Sequence, residues 1–355
     1  MLVVDDSVVI RRLVTDVLRD DPQIEVVGVA ENGRIALQRV EELKPDAVTM
    51  DIEMPSMDGI AAVRELRKTH HRLPIVMFST LTERGAAATL DALAAGASDY
   101  VTKPANVGSV AESRQSIREQ LIPKLLAFTA TRRLVAGAQP QIPVPAAPRR
   151  ARTAPYAVLA IGSSTGGPDA LAKVLPGLPR DLGVPVVVVQ HMPPLFTRLL
   201  AQRLDVASTL TVREAADGDP LMPGTVLIAP GGQHLVLKSR AGIVTAALTE
   251  EPPENFCRPA VDVLFRSVAS VYGERTLAVV LTGMGRDGER GAAAIRKAGG
   301  DVFVQDEATS VVWGMPGAVA HSGQADRILP LPSIAGELTR TIGKRLQTAD
   351  VGGSR

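Results

Sequence analysis

The stretch AIGSSTGGPDAL occupies residues 160–171 and follows the apolar run Tyr156–Leu159. A strand that runs into a Gly-rich turn and then into a helix is typical of parallel α/β sheets. Such a turn serves two chemistries, because its backbone either cradles a phosphate or exposes a hydroxyl group as a nucleophile. The rest of the chain has to decide between them.

Length and composition limit the class of protein. The 355 residues, of which 45% are hydrophobic, indicate two globular domains. The 39 basic and 38 acidic residues nearly balance, which argues against a dedicated nucleic-acid binder. Cys257 is the lone cysteine, so an internal disulfide is impossible and a reducing compartment is expected. The chain has no signal segment and no apolar run of about 18 residues, which favours a cytoplasmic protein over an integral membrane protein.

The first hundred residues alternate short Val/Ile-rich runs with amphipathic stretches. This alternation predicts a parallel sheet covered by helices on both faces. The predicted strands are Leu2–Val4, Glu25–Ala30, Ala47–Met50, Ile75–Ser79 and Asp99–Thr102. The predicted helices are Val8–Leu18, Arg34–Glu42, Gly59–Lys68 and Gly85–Ala94.

A proline-rich stretch, residues 136–155, separates this half from a second α/β pattern. Its proline spacing predicts a semi-extended linker, and its PRRAR cluster is interpreted as a solvated charge run. We expect Pro123 to interrupt or end the polar helix that precedes it. The second half contains predicted strands and helices at Ala157–Ile161, Pro168–Leu175, Val184–Gln190, Thr225–Ala229, Leu277–Thr282 and Asp287–Lys297. We predict two doubly wound parallel-sheet domains over 1–120 and 155–344, a Pro/Ala/Arg-rich linker over 121–154, and a flexible tail over 345–355.

Polar side chains follow four predicted strands of the first domain. Asp5 and Asp6 follow the first strand, Asp51 the third, Ser79 ends the fourth and Lys103 follows the fifth. These strand ends face one crevice in a doubly wound sheet. Three carboxylates there would repel one another without a hard cation such as Mg²⁺, and a neighbouring lysine and hydroxyl suit acceptance of a phosphoryl group.

The alternative for any single aspartate is a helix N-cap or a turn, and Asp58 before Gly59 is interpreted in that way. Polar side chains at four strand ends of one sheet favour a functional role for Asp5, Asp6 and Asp51 over capping.

The segments VVDDS, MDIEMPSMDG and AGASDYVTKP resemble the receiver domain of two-component response regulators, which is flavodoxin-like. The resemblance implies a phosphoacceptor at Asp51, Mg²⁺ ligands at Asp6 and Asp51, help from Asp5 through water and from the Glu53 carbonyl, a switch hydroxyl and aromatic at Ser79 and Tyr100, and a phosphate-contacting Lys103. Receivers usually have a few residues before the first strand, whereas this chain starts at Met1. We therefore expect either a misplaced start or a less stable domain.

The turn at 162–167 lacks the Walker lysine, departs from G-x-G-x-x-G and is not a G-x-S-x-G elbow. A serine nucleophile there needs a base. His191 follows the strand candidate VPVVVVQ directly, and His234 is the weaker base candidate. Asp287 follows the run AVVLTGMGR, so Ser164, His191 and Asp287 are predicted at one edge of the sheet.

The segments AIGSSTGG, VVQHMPP, RPAVDVLF and VVLTGMGRDG resemble the catalytic domain of the protein-glutamate methylesterases of bacterial chemotaxis, the CheB family. That family joins a receiver to a Rossmann-like esterase. The resemblance implies a nucleophile, base and orienter at Ser164, His191 and Asp287, an oxyanion donor in the Met284 amide, and framing of the turn by Thr165 and Gly166.

The same resemblance implies hydrolysis of glutamate methyl esters on chemoreceptors, with deamidation of glutamines as a second activity. Ester hydrolysis then needs no cofactor, and receiver phosphorylation needs Mg²⁺. The implied partners are methyl-accepting chemoreceptors and a chemotaxis histidine kinase, and no nucleic acid. The implied location is the cytoplasm, at membrane-bound receptor arrays.

Three other functions are open to a chain of this kind. A transcriptional response regulator shares the receiver but requires a basic helix-turn-helix unit after the linker, which the second half does not show. A non-catalytic adaptor would keep the triad without using it. A hydrolase of the same fold in another signalling pathway would have the same triad.

Overall fold

The chain folds into two compact α/β units, Met1–Gln139 and Pro140–Arg355. A computed structural model describes the backbone of residues 1–103, 109–134 and 154–351. Each unit contains a fully parallel sheet, which confirms the predicted fold class. Most of the predicted linker, residues 135–153, lies outside the described residues, so the domain limits stay predictions.

The first unit is a five-stranded sheet with helices between its strands. Its elements are β1 (Leu2–Val4), α1 (Val8–Arg19), β2 (Gly28–Ala30), α2 (Gly33–Leu43), β3 (Val48–Asp51), α3 (Gly59–Thr69), β4 (Ile75–Ser79), α4 (Glu83–Ala94), β5 (Asp99–Thr102) and α5 (Val110–Leu134). The strand order is β2-β1-β3-β4-β5, all parallel. The order reverses at β1, so the ends of β1 and β3 open onto a common crevice.

Side-chain caps fix where the first four helices begin. Ser7, Asn32, Asp58 and Thr82 each accept a hydrogen bond from the backbone amide three residues later. Such a cap satisfies one of the amides that the first turn of a helix leaves without a partner. Asp58 is therefore a helix cap, as the sequence predicts.

Pro123 does not end its helix, contrary to the prediction. α5 continues through it to Leu134. Ile117, Leu121 and Leu125 lie four residues apart and are each at most 3% exposed. A proline inside a helix costs about 3 kcal/mol, whereas burying each of these side chains contributes about 1.5–3 kcal/mol. The apolar contacts on both sides of Pro123 therefore outweigh its disruption.

The second unit has a seven-stranded parallel sheet and a separate hairpin. Its elements are β6 (Val158–Ser163), α6 (Gly167–Val174), β7 (Val186–Gln190), α7 (Pro194–Ala207), β8 (Thr211–Glu214), β9 (Thr225–Ile228), β10 (His234–Arg240), β11 (Ile243–Thr249), α8 (Val261–Tyr272), β12 (Thr276–Val280), α9 (Glu289–Lys297), β13 (Asp301–Gln305), α10 (Gly314–His321), β14 (Arg327–Leu329) and α11 (Leu331–Val351).

The parallel sheet has the order β14-β13-β12-β6-β7-β9-β8. The chain enters at β6 in the centre, moves outward through β7, and returns to the other side at β12. β6 therefore lies between β7 and β12, and the carboxyl ends of the three strands are neighbours. In open α/β sheets, sites form at this kind of switch point.

The hairpin of β10 and β11 was not predicted from sequence. Its strands pair antiparallel from His234↔Thr249 to Arg240↔Ile243, and Ala241 and Gly242 form the turn with φ of 51° and 79°. This geometry belongs to a two-residue hairpin turn, which usually begins with Asn, Asp or Gly. Because alanine stands at the first turn position, the usual sequence signal of a hairpin is missing.

Helices extend into two segments that were predicted to be linker and tail. The backbone of α5 covers residues 121–134, and that of α11 covers 345–351. In α11 the buried residues Leu331, Ile334, Leu338 and Ile342 continue the helical period. Among the helices described here, none is both long and apolar enough to cross a membrane.

Gly59 lies where α3 passes close to the strand that carries Asp51. A Cβ atom on Gly59 would lie 2.0 Å from the Asp51 carbonyl oxygen. We expect Gly59→Ala to lower the free energy of unfolding of the first unit by about 1–3 kcal/mol, because the backbone has to move apart. Urea denaturation followed by circular dichroism measures this loss.

Gly336 in α11 is the matched control, since a Cβ there meets nothing within 4 Å. Gly336→Ala should stabilise the second unit by about 0.5–1 kcal/mol. A Gly59→Ala protein as stable as the wild type would contradict the close approach.

Candidate functional site

The carboxylates predicted at the end of the first sheet lie together. Oxygen atoms of Asp5, Asp6 and Asp51 all lie within 4.8 Å of one another. Lys103 Nζ is 2.8 Å from Asp51 Oδ1 and 3.1 Å from Asp5 Oδ2. Backbone amides hold two of the carboxylates, since Ser7 N donates to Asp5 Oδ1 (2.8 Å) and Ile52 N donates to Asp51 Oδ1 (2.7 Å). The predicted acidic cluster and its lysine are therefore one site.

The pKa values in this cluster reflect burial and crowding of charge. Burial and the nearby Asp5 charge raise the pKa of Asp51 above its ordinary value, although the Lys103 contact opposes them. Burial lowers the pKa of Lys103, but its contacts with Asp51 and Asp5 outweigh burial and raise it overall. The cluster therefore favours additional positive charge.

The donor set of the cluster suits a hard divalent cation. Its carboxylate groups offer oxygen ligands, which Mg²⁺ prefers. Asp5 Oδ2 is buried and has no hydrogen-bond partner of good geometry in the described residues, although Lys103 lies close to it. A buried charged oxygen without a hydrogen bond is costly unless a cation compensates it. The residues present thus fit a magnesium ion.

A cavity of about 290 Å³ opens over Asp51. Its wall includes Asp6, Glu53, Thr80 and Lys103. Glu53 is exposed and lies 3.4 Å from the guanidinium group of Arg84. Thr80, which follows the predicted switch residue Ser79, also lines the cavity.

The predicted switch residues, Ser79 and Tyr100, are both buried. The Ser79 hydroxyl is buried and lies 3.2 Å from both Thr80 O and Gly85 O, two residues that line the cavity. Tyr100 is 8% exposed, and Lys124 Nζ lies 5.4 Å from the centre of its ring.

The turn that carries Ser164, the predicted nucleophile, lies directly after β6. Ser164 follows the strand, and its amide donates to Thr282 O (3.1 Å). Gly166 has φ of 76°, and a Cβ atom there would lie 2.6 Å from Val311. The hydroxyl of Thr282 donates to Thr165 O (3.0 Å). Glycine is required because the chain turns left-handed and passes close to a neighbour before α6 begins.

His191 follows β7, the strand beside β6. Its amide donates to Ser163 O (3.1 Å). The buried side chain of Gln190 links the two strand ends, because its Nε2 donates to Ser164 O (3.0 Å) and to His191 O (3.2 Å). Gln190 thus holds the serine and histidine turns side by side.

Asp287 is the most extensively hydrogen-bonded group of the site. It is 2% exposed and lies in the turn between β12 and α9. Its two oxygens accept from His191 Nε2 (2.8 Å), Asn255 Nδ2 (2.8 Å), and the amides of Val261 (2.6 Å), Asp262 (2.9 Å) and Gly288 (3.0 Å). These donors compensate a buried charge and fix its orientation toward the imidazole.

The contact of His191 with Asp287 decides which imidazole nitrogen is left to act as a base. Because Nε2 bonds to the carboxylate, Nδ1 is the ring nitrogen that is available to act as the predicted base. In the described structure Nδ1 lies 3.4 Å from Cys257 Sγ, and the Ser164 hydroxyl has no hydrogen bond to it. The structure thus brings His191 and Asp287 into contact and places Ser164 at the adjacent strand end.

Charge and burial oppose each other at His191. Burial alone lowers the pKa of His191, but the contacts with Asp287 and Cys257 raise it from 6.5 to about 10. Burial raises the pKa of Asp287, whereas its bond to His191 and the backbone amides lower it overall. Asp287 is therefore the anionic partner, and the imidazole binds a proton tightly.

The predicted oxyanion donor lies on the turn after β12. Met284 is 37% exposed. The hydrogen bonds of the described residues include none from its amide, whereas the adjacent Gly283 amide donates to Val312 O (3.0 Å). An amide without an internal acceptor at a strand end suits a developing negative charge.

Sequence reasoning missed Gln190, Asn255, Cys257 and Asp262. Asp262 is 1% exposed and accepts from the amides of Gly288 (3.0 Å) and Gly291 (2.6 Å), which fixes the turn that carries Asp287. A carboxylate within the apolar run AVDVLF is the signal that could have identified it. No local pattern points to Asn255 or Cys257.

His234, the weaker base candidate, has a different position. It is fully buried at the start of β10. Its Nδ1 accepts from Ala260 N (3.1 Å), and its Nε2 lies 3.2 Å from Pro252 O. Because both ring nitrogens bond to backbone, His234 holds the segment before α8 and does not contact the triad.

Comparison with known proteins shows the family of the chain. The CheB methylesterase family matches residues 159–338, and the response regulator receiver domain matches residues 1–113. The chain belongs to the CheB methylesterase family. A protein-glutamate methylesterase/protein-glutamine glutaminase of Nocardioides sp. is 57% identical over 97% of this chain and 96% of its own length. A protein of the same name from Trichodesmium erythraeum is 48% identical over 97% of this chain and 99% of its own.

Among solved structures, the CheB methylesterase catalytic domain of Thermotoga maritima resembles the second unit. It has 48% sequence identity and a TM-score of 0.52, and the match covers 52% of this chain and 98% of that domain. The likeness to a CheB catalytic domain supports the α/β sheet on which the triad is placed.

The raised pKa of His191 is testable by NMR. In the wild-type protein we expect its ring carbon signals to titrate with a midpoint near 10. Asp287→Asn removes the anion that stabilises the imidazolium, so the midpoint should fall by about 1–3 pH units. Asp219→Asn is the control, because that carboxylate pairs with Arg213 and does not contact His191. Equal midpoints in the wild type and Asp287→Asn would contradict the assignment.

Proposed function

We propose that this protein is a phosphorylation-activated protein-glutamate methylesterase that also deamidates glutamines. One observation carries the proposal: in a member of the CheB family, Ser164, His191 and Asp287 follow three neighbouring strands of one sheet, with the His191–Asp287 bond formed. The α/β architecture of the second unit and its family match argue against a transcriptional regulator with a helix-turn-helix unit.

The reaction requires few groups. Ser164 Oγ attacks the ester carbonyl while its proton passes to His191 Nδ1, the nitrogen that Asp287 leaves free. The tetrahedral intermediate collapses, and His191 returns the proton to the leaving methoxide, which departs as methanol. Water then attacks the acyl-serine with His191 as the base, and the glutamate carboxylate is released. With a glutamine substrate the same steps release ammonia.

The oxyanion of the tetrahedral intermediate needs donors that are already in place. We assign this role to the Met284 amide, with Thr165 and Gly166 shaping the turn that presents Ser164. Removal of one such donor in other enzymes costs about 3–4 kcal/mol of barrier, so the placement of this turn matters greatly.

The receiver supplies regulation. Asp51 Oδ accepts the phosphoryl group from a histidine kinase, and Lys103 Nζ, now 2.8 Å from Asp51, binds the transferred phosphate. Asp5, Asp6, Asp51 and the Glu53 carbonyl would hold Mg²⁺, which supplies neutralisation of the phosphoryl charge when bound. Ser79 and Tyr100 are the candidate residues that relay the change, since both are buried and lie on β4 and β5, which follow the Asp51 strand in the sheet.

Activation by phosphorylation requires only a modest change in free energy. A difference of about 1.4 kcal/mol between phosphorylated and unphosphorylated states changes a minor active population tenfold. The substrates in this proposal are methyl-accepting chemoreceptors in the cytoplasm, at membrane-bound arrays. The adaptor alternative predicts binding to such receptors without turnover.

Release of methanol from methylated receptor membranes tests the function. We expect release to require Ser164, with Ser164→Ala lowering the rate by at least about 10³-fold. A small-molecule phosphodonor with Mg²⁺ should raise the wild-type rate about tenfold or more, and Asp51→Asn should abolish that rise while keeping the basal rate. Equal rates of methanol release for Ser164→Ala and wild type would exclude the esterase. A phosphodonor-dependent increase in the rate of Asp51→Asn would exclude activation through Asp51.

The rate should also depend on pH in a way set by His191. The imidazole acts as a base only when neutral, and its pKa is raised to about 10. We therefore expect kcat/KM to rise as pH increases through the neutral and alkaline range. Cys257→Ala removes one contact that stabilises the imidazolium, so the acid limb should move to lower pH. An unchanged profile in Cys257→Ala would contradict the contact.

A further inference from the structure

A strained turn joins the catalytic histidine and aspartate. Residues 254–257 form a tight turn in which Glu254 N donates to Cys257 O (3.1 Å) and Cys257 N donates to Glu254 O (2.9 Å). Its two central residues, Asn255 and Phe256, have φ of 52° and 62°. Asparagine tolerates this left-handed conformation, but a bulky residue such as phenylalanine rarely adopts it. The backbone at Phe256 is therefore strained.

Three of the four residues of this turn have side chains that contact other parts of the second unit. Asn255 Nδ2 donates to Asp287 Oδ1 (2.8 Å) and to Asp262 Oδ2 (3.0 Å). Cys257 Sγ lies 3.4 Å from His191 Nδ1, and Glu254 forms a two-point ion pair with Arg266. These contacts hold the strained conformation in place. Strain of this kind persists where the surroundings overdetermine it, and it concentrates at functional sites.

The fourth residue points its ring into solvent. Phe256 is fully exposed, whereas the other five phenylalanines of the chain are at most 6% exposed. The contacts of the other three residues hold the turn in place, and the turn exposes the large apolar ring of Phe256 beside Cys257, which contacts His191. Rigid aromatic anchors of this kind dominate many protein interfaces, because they bury much area with little loss of freedom.

We propose that Phe256 is a specificity-determining residue that docks against an apolar side chain of the polypeptide carrying the esterified glutamate. This inference rests on the proposed function. The occupant follows from continuity with the proposed active site, because Phe256 is adjacent in sequence to Cys257, whose Sγ lies 3.4 Å from His191 Nδ1. Met284, 37% exposed, adds a second apolar group on the turn that carries Asp287.

The test compares two substrates with the full-length protein. Phe256→Ala should raise KM for methylated receptor about tenfold and leave hydrolysis of N-acetylglutamate methyl ester within twofold of the wild type, because a small ester has no segment to reach the turn. Phe256→Tyr, which keeps the ring, should retain receptor turnover. Val206→Ala is the matched control, since Val206 is 91% exposed on α7, and it should change neither substrate.

A glycine variant separates docking from folding. Phe256→Gly relieves the left-handed backbone, so it should unfold at a higher temperature than the wild type and still lose receptor affinity. Unchanged KM for receptor in Phe256→Ala would overturn the proposal. A faster small-ester reaction in the unphosphorylated Phe256→Ala protein would also overturn it, because another part of the chain would then cover the ring.

The two proposals fail in different ways. Wild-type protein that hydrolyses the small ester through Ser164 but releases no methanol from receptors would overturn the proposed substrate, and the docking role with it. Receptor turnover that is normal in the wild type and in Phe256→Ala would overturn the docking role alone.

Discussion

The buried carboxylate of Asp287 is the group on which the catalytic unit depends. It accepts five hydrogen bonds, and their donors come from the end of β7, the turn at 254–257, the start of α8 and the start of α9. Taking a carboxylate out of water is costly unless it is paired and hydrogen-bonded. The need to satisfy this one charge therefore draws together segments that are distant in the chain.

The same constraint has chemical consequences. Because Asp287 takes Nε2 of His191, Nδ1 is the nitrogen that receives the serine proton in the proposed mechanism, and the anion raises the affinity of the ring for a proton. A strong base is produced at the cost of a smaller neutral fraction at neutral pH. Asp262 accepts hydrogen bonds from the amides of Gly288 and Gly291, so a second buried carboxylate stabilises the turn that carries Asp287 before α9.

The receiver uses the opposite arrangement. Its three carboxylates crowd together with only a lysine among the near charges described, so burial and repulsion raise the pKa of Asp51. Such a cluster is poised to take up positive charge and then a phosphoryl group. The second unit thus stabilises the Asp287 carboxylate with its own hydrogen-bond donors. In the first unit, much of the negative charge of the carboxylate cluster is left for ligands to balance. That difference suits the permanent catalytic site and the reversible phosphorylation switch that we propose.

Local patterns in the chain were enough to place the strands that carry Asp51, Ser164 and His191, because apolar runs and Gly-rich turns depend on near neighbours in sequence. The family resemblance, also carried by local motifs, assigned the nucleophile, the base and the phosphoacceptor. The roles of Asn255, Cys257 and Asp262 were decided only in the tertiary structure. Their contacts with His191 and Asp287 span 25 to 66 residues of sequence, and no local pattern encodes a contact across that distance. The helix through Pro123 and the hairpin at Ala241–Gly242 have the same origin, since packing and pairing overrode local preference there.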